Sequence, residues 1–563
     1  MRACALVVVA IVAAGSDLVA QRVSPRPPTM AGKSPVYAPN GMAATSQPLA
    51  TSAAVAVLQK GGNAIDAAVT AAAVLTVVEP MMTGIGGDMF AIVWSAKDRK
   101  LYGLNASGRA GALMTREELI RRQRTRGPAR GPEAVTVPGA LAGWHALLKR
   151  FGTMSLAQTF EPAIRYAAEG FPVTPIIAED WTSGDMVQRD SGAHATFLIE
   201  GGRLPKAGDW FRNPDYAKTL RDLAREGPDL FYRGALGEKL VNHLKARGGF
   251  LTMEDMRTNE PTWVTPISTK FAGYRVWELP PNNQGIATLE MLRILEAYDL
   301  KAMGHNSPAY LHHLIEAKKL AYADLTKYVG DPDFLTARPA YLLSEEFITE
   351  RRSHIDPRKA MMEAQPGPER TSSETIYLTV ADQEGNMISF INSLYDEWGS
   401  GVVVPGTGFA LHDRGLGFTL EPGLPNTVAP GKRPFHTLIP GFVSRPTNAS
   451  SPDGAGDEPY MSFGLMGGAM QAQGHTQFLI NHLVFGMDIQ AAMDAGRFRH
   501  LNGMTVVVEP AVSDSVMRAL GALGHQVRLG SPGQFGGSQA IARLTKGYIG
   551  GSDSRKDGHA AGH

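Results

Sequence analysis

Residues 64–80, AIDAAVTAAAVLTVVEP, have the length of a helix and are small or apolar on nearly every face. A helix without a polar stripe has no side to turn to water, so this one belongs in the core. It follows a first helical stretch from Thr51, with Gly61-Gly62-Asn63 as the turn between them, and it stops at Pro80. Gly84-Ile85-Gly86-Gly87-Asp88 comes next and leads into Met89–Trp94, read as a strand. Glycines after a helix and before a strand reverse the dinucleotide-binding order. They are read instead as letting this loop pass close to another backbone.

Composition narrows the function classes. A hydrophobic share of 44% over 563 residues supports a real core and, by length, three to four domains or two large ones. Lys+Arg 55 against Asp+Glu 54 leave a net charge of +1 with no basic block, which disfavours nucleic acid as a partner. Gly 62 and Pro 37 point to many tight turns in a loop-rich α/β chain. Cys4 is the sole cysteine, excluding a disulfide framework, CxxC redox chemistry and a cysteine zinc site. There is no HExxH, Walker or GxSxG pattern. His305 and His312-His313 lack ligand spacing and are read as surface or core residues, so no metal or organic cofactor is expected.

The amino terminus is a separate object. Met1-Arg2 precede an apolar run, Ala3 to Ala14, and small residues with a cleavage site after Leu18-Val19-Ala20. Residues 1–20 therefore read as a secretory signal, too short for a membrane-spanning helix. The expectation is a periplasmic or secreted protein with no membrane span after signal removal. Residues 21–35 are Pro-rich and read as an extended linker.

The most informative stretch is 371–401, TSSETIYLTVADQEGNMISFINSLYDEWGSG. Thr375 to Ala381 alternates Thr/Tyr/Thr against Ile/Leu/Val, a strand with one apolar face. Asp382–Asn386 has turn chemistry and Met387–Leu394 forms the return strand. Centring the hairpin on Glu384 sets Ser393 directly across from Thr375, with opposed Cβ atoms about 4.5–5.5 Å apart. The preceding MEAQPGPERTSSE is a polar linker, expected to be mobile, which suits a cut between Glu374 and Thr375. A threonine hydroxyl needs an adjacent base to act as a nucleophile. Once the preceding bond is broken, its own α-amine, with an ordinary pKa of about 7.7–8.0, supplies one.

The sequence resembles the gamma-glutamyltransferase (gamma-glutamyl transpeptidase) family of N-terminal-nucleophile (Ntn) hydrolases from about residue 36 to 560. The match is carried by GGNAIDAAVTAAAVLTVVEPMMTGIGGDMF at 61–90, TIYLTVADQEGNMISF at 375–390 and GSGVVVPGTGFAL at 399–411. PGKRPFHTLIP at 430–440 and MGGAMQAQGH at 466–475 complete it. The resemblance implies an α+β fold, a four-layer αββα sandwich made as one precursor. Its two products would be an α-chain, 21–374, and a catalytic β-chain, 375–563, forming an αβ heterodimer or a dimer of such units. It implies Thr375 as nucleophile, Ser393 in place of the family's second threonine, and Gly467-Gly468 as the oxyanion-hole pair.

The departures from the family concern substrate. The arginine that pairs with a glutamyl α-carboxylate is replaced by Ser107, and the asparagine of the second strand by Tyr395. The acidic and amide residues that hold the α-amine correspond to Arg414 and Gly417, and two serines become His436 and Thr437. Arg414 should repel an α-ammonium group and favour an anionic or neutral acyl group. Arg109, two residues beyond Ser107, is a further candidate to hold a carboxylate. The pattern is closer to the family's amidohydrolase and acylase branch, acting on a small-molecule amide. The alternatives are a true gamma-glutamyltransferase acting on glutathione and a non-catalytic binding protein on the same fold.

Overall fold

The computed structural model describes residues 33–182, 187, 190–362, 374–447, 454 and 456–563. The expected signal at 1–20 and most of the two linkers, 21–32 and 363–373, lie outside the described residues. Among these residues the main strands form two seven-stranded sheets. One runs, in spatial order, His559–Gly562, Met42–Thr45, β2 (Glu374–Ala381), β3 (Met387–Tyr395), β1 (Asp88–Ser95), Lys100–Ala106 and Thr262–Val264. The other runs Val36–Ala38, Tyr548–Ser552, Gly537–Arg543, β4 (Glu458–Met466), Gly441–Arg445, Tyr274–Glu278 and Ile267–Phe271.

Three apolar layers define the stacking. Between the sheets lie Phe90, Trp94, Tyr377, Ile391, Phe442 and Ile541. Helices α1 (Pro48–Gln59) and α2 (Ala64–Val78) cover the outer face of the first sheet over Ile376, Leu378, Val380 and Phe390. Helices α3 (Gly285–Leu295), α4 (Pro308–Tyr328) and α5 (Met470–Leu483) cover the second over Val276, Val443 and Phe463. The order helix, sheet, sheet, helix is the expected α+β, four-layer αββα sandwich.

Helix α2 is buried along its whole length, as its composition requires. Asn63 caps it by accepting from the Ile65 and Asp66 amides, and Asp66 returns a bond from the Asn63 amide at 3.0 Å. The Asp66 carboxylate also accepts from the Thr153 hydroxyl and the Thr153 and Met154 amides, so its charge is satisfied inside the core.

The apolar face expected of β2 is present, and the opposite, polar face is covered as well. Ile376, Leu378 and Val380 face the helices, while the Thr/Tyr face meets the second sheet. Its hydroxyls survive burial by pairing, Tyr377 Oη with Ser389 Oγ at 2.7 Å and Thr379 Oγ1 with Ser462 Oγ of β4 at 2.5 Å. Polar residues here pair across an internal layer, a pattern that alternation alone does not separate from solvent exposure. The glycine reading agrees with the structure. A Cβ on Gly86 would sit 2.3 Å from the Ala410 carbonyl oxygen, and one on Gly87 2.3 Å from that of Ser393.

Candidate active site

The hairpin of β2 and β3 follows the expected register from Ile376–Asn392 to Ala381–Met387, then slips at its open end. Glu374 pairs with Tyr395, so Ser393 and Leu394 together oppose Thr375. This is a β-bulge, an extra residue that bends a strand and re-aims side chains. The Leu394 backbone turns to other partners, donating to Met82 O at 3.0 Å and accepting from the Asp413 amide at 3.2 Å. Thr375 is fully buried, and its hydroxyl donates to Ser393 Oγ at 3.2 Å. Ser393 Oγ also accepts from the Tyr395 amide at 2.7 Å. Tyr395 has φ 83°, a left-handed conformation that bulky residues rarely hold.

From Tyr395 a chain of contacts reaches the glycine pair. The Arg414 guanidinium lies over the Tyr395 ring, 4.2 Å from its centroid, and its Nη1 reaches Thr437 Oγ1 at 3.4 Å. Gln284 Nε2 donates to both Thr437 O and Gly468 O at 2.8 Å. Gly467 and Gly468, with φ 120° and 57°, form the turn from β4 into α5, and both conformations favour glycine. Tyr322 Oη secures the next residue by donating to Ala469 O at 2.5 Å. Thr375, Ser393, Tyr395, Arg414, Thr437 and the glycine pair thus form one connected group, although they come from distant parts of the chain.

A buried charge cluster backs this group. Asp88, which pairs with Ser393 across β1 and β3, accepts through Oδ1 from the Gly108 and Gly139 amides at 2.9 and 3.0 Å. Its Oδ2 lies 3.2 Å from His412 Nδ1 and 3.1 Å from His436 Nε2. Burial pushes the Asp88 carboxyl up, but the two imidazoles outweigh it and hold the group well below the usual carboxylate range. His436 is pushed down to about 3, first by burial and then by Arg414, so it is neutral at ordinary pH. Burial also lowers the Arg414 pKa, against the pull of Asp88, Tyr395, Asp413 and Asp396.

Arg109 is held by a different set of contacts. Its guanidinium pairs with Asp331 at 3.2 Å and donates to Gly431 O at 2.9 Å. Ser107 Oγ donates to Asn105 Oδ1 at 2.6 Å, and Gly417 closes the short turn that begins at Arg414. Sequence reasoning passed over Asp88, His412 and Gln284. The charged run His412-Asp413-Arg414 and an aspartate ending a glycine cluster were the available signals. His312 is buried, one of the two options foreseen, but it does have ligand spacing. With Glu316 and His525 it places ligand atoms within 4.8 Å of one another. The Lys319 ammonium, 2.8 Å from Glu316 Oε1, already balances that carboxylate.

The family model described as gamma-glutamyltranspeptidase matches residues 50–563. The chain belongs to the gamma-glutamyltranspeptidase family. It is accordingly a hydrolase of the Ntn type. The glutathione hydrolase-like YwrD proenzyme of Bacillus subtilis (strain 168) is 34% identical over 91% of this chain and 97% of its own length. The acylase ACY 1 proenzyme of Pseudomonas sp. (strain SE83) is 35% identical over 91% of each. The crystal structure of cephalosporin acylase from Bacillus halodurans superposes with a TM-score of 0.88 at 42% identity. That superposition covers 95% of this chain and 98% of the acylase. The relatives of this chain thus include both acylases and a glutathione hydrolase-like protein.

Proposed function

We propose that this family member is a self-processing amidohydrolase whose nucleophile is Thr375, released as a chain terminus by cleavage after Glu374. The observation that carries the reading is the buried 3.2 Å contact from the Thr375 hydroxyl to Ser393 Oγ, at a bulge one residue into β2. The proenzyme names of the relatives support processing into an α-chain, 21–374, and a β-chain, 375–563. The basic-then-apolar leader supports export to the periplasm or the medium.

In the proposed reaction, Thr375 Oγ attacks the carbonyl carbon of a small-molecule amide while its proton passes to the Thr375 α-amine. The tetrahedral oxyanion is met by the Gly467-Gly468 amides, a role typically worth a few kcal/mol per donor. The C–N bond breaks as the α-ammonium returns the proton to the leaving amine, leaving an ester on Thr375. Water then attacks that ester, giving its proton to the amine. The acid departs and the hydroxyl is restored. Ser393 orients the nucleophile, and Arg414, Tyr395, His436 and Thr437 line the acyl side.

Terminal sequencing of the smaller fragment from active protein tests the reading. The expected first residue is Thr375; any other start, or full activity from an uncleaved chain, refutes it.

A further inference from the structure

We infer that Gln284 and Tyr322 are positioning residues for the oxyanion pair, holding the turn that aims the Gly467 and Gly468 amides. Both roles rest on that pair meeting the oxyanion. Since both residues precede Glu374, they place the aiming of a β-chain element under the α-chain.

Two consecutive glycines have no side chains to limit their dihedrals, so the turn does not aim its own amides. A trans peptide is planar, and its N–H points opposite to its C=O. Whatever grips the carbonyls of the turn therefore sets where its amides point. Gly467 O accepts from the Met470 amide at 2.9 Å, a bond internal to the turn. The next two carbonyls are gripped from outside as well. Gly468 O takes the Gln471 amide at 3.1 Å and Gln284 Nε2 at 2.8 Å. Ala469 O takes Tyr322 Oη at 2.5 Å and Gln473 Nε2 at 3.1 Å.

Both struts are anchored at their other ends. Gln284 is buried just before α3, and its amide donates to His436 O at 3.1 Å. The second proton of its Nε2 goes to Thr437 O at 2.8 Å, so the side-chain amide spends both donors on backbone. Tyr322 lies on α4 with the Lys318 ammonium 4.1 Å from its ring centroid. Lys318 in turn reaches His500 Nδ1 at 2.9 Å and Leu501 O at 3.2 Å. Tyr322 Oη and Gln284 Oε1 stand 3.4 Å apart, so the two struts are neighbours. Each touches carbonyl oxygens of the turn and leaves the amide face open. Misaimed donors weaken the grip on a developing oxyanion more than on a planar carbonyl, so the loss belongs in kcat.

The test uses processed protein and two small changes. Tyr322→Phe removes one oxygen, and Gln284→Met removes two donors at similar volume. Turnover is read on acetyl-, butyryl- and gamma-glutamyl-p-nitroanilide, using whichever the wild-type protein cleaves fastest. Phenylboronic acid is the tetrahedral probe. Its boron accepts an electron pair from Thr375 Oγ, the hydroxyl proton passes to the α-amine, and no other bond breaks. Benzamide is the planar counterpart, and calorimetry gives both affinities. Tyr322→Phe should lower kcat and boronate affinity together by about tenfold, with KM and benzamide affinity within about twofold. Gln284→Met should lose more, up to about a hundredfold in kcat, with KM also rising because Thr437 O loses a donor.

Wild-type kcat and boronate affinity in both variants overturn the assignment. So does equal weakening of boronate and benzamide, which marks general loosening of the fold. Two processed bands and an unchanged denaturant midpoint qualify each variant. A crystal structure of the wild-type boronate adduct needs no variant: a turn that leaves Gln284 and Tyr322 to meet the boronate oxygen also overturns it. If that oxygen lies against the Gly467 and Gly468 amides and the variants behave as wild type, only the positioning roles fall. If it lies elsewhere, or no adduct forms on Thr375, the oxyanion or nucleophile reading falls with them.

Discussion

Replacing Ser393 with alanine removes an oxygen that accepts two buried hydrogen bonds, from Thr375 Oγ1 at 3.2 Å and from the Tyr395 amide at 2.7 Å. At about 1 kcal/mol net for each, the variant should lose roughly 2 kcal/mol of stability and remain folded. The effect on rate should be larger in kind. The Thr375 hydroxyl loses the group that fixes its direction, and about 1.4–2.8 kcal/mol of barrier corresponds to a ten- to hundredfold loss. Self-cleavage and turnover should slow together, because both use the same hydroxyl. KM should change less than kcat, since Ser393 contacts the nucleophile and not the acyl group. A gel time course of precursor loss, a denaturant midpoint, and kcat and KM on the best amide measure all of this. Ser393→Thr restores the hydroxyl and should recover most of the rate. Wild-type rates in Ser393→Ala, or equal damage from the threonine variant, would refute the reasoning.

Other perturbations probe the surrounding structure. Thr375→Ala should remain a single full-length band on a denaturing gel, and spontaneous appearance of two fragments would contradict the proposed nucleophile. Gly87→Ala places a Cβ 2.3 Å from the Ser393 carbonyl oxygen, so self-cleavage should slow, with a stability loss of about 1–3 kcal/mol; wild-type processing would show that the strand shifts freely. Asp88→Asn alters a carboxylate that accepts two buried amide bonds and faces two imidazoles, and should cost about 1–3 kcal/mol in a denaturant titration; an unchanged midpoint would argue against those contacts. His436, His475 and His525 are each pushed down to about 3, in every case first by burial. Between that value and 6.5 the unfolded chain binds more protons than the folded one, so stability rises with pH there. It should fall on acidification from pH 7 to 5 by at most about 1.4 kcal/mol per pH unit for each histidine, and an unchanged midpoint would contradict their burial as neutral groups.

Much of this architecture is written locally. An apolar run with an Asn-x-x-Asp cap specifies α2, and a seven-residue alternation with a turn specifies the hairpin. The glycines at 86 and 87 announce a tight crossing before the partner strand is known. The bulge is not legible in this way, because an extra residue in β3 leaves the alternation of β2 untouched. It is set instead by long-range bonds from Leu394 to Met82 and Asp413. The Asp88, His412 and His436 cluster joins residues more than three hundred positions apart, and no local pattern encodes such a meeting. The spacing of Arg109 from Ser107 suggests a shared role but does not reveal its partners in the fold, Asp331 and Gly431.

The two sheets are woven from both sides of the Glu374–Thr375 bond. Met42–Thr45 sits between His559–Gly562 and β2, and β1 lies against β3. In the other sheet Tyr548–Ser552 lies next to Val36–Ala38, and Gly441–Arg445 next to Tyr274–Glu278. A molecule nicked at that bond could not shed either piece without tearing both sheets apart. It should melt once, as a single unit, and two differently labelled batches mixed below that temperature should never trade halves.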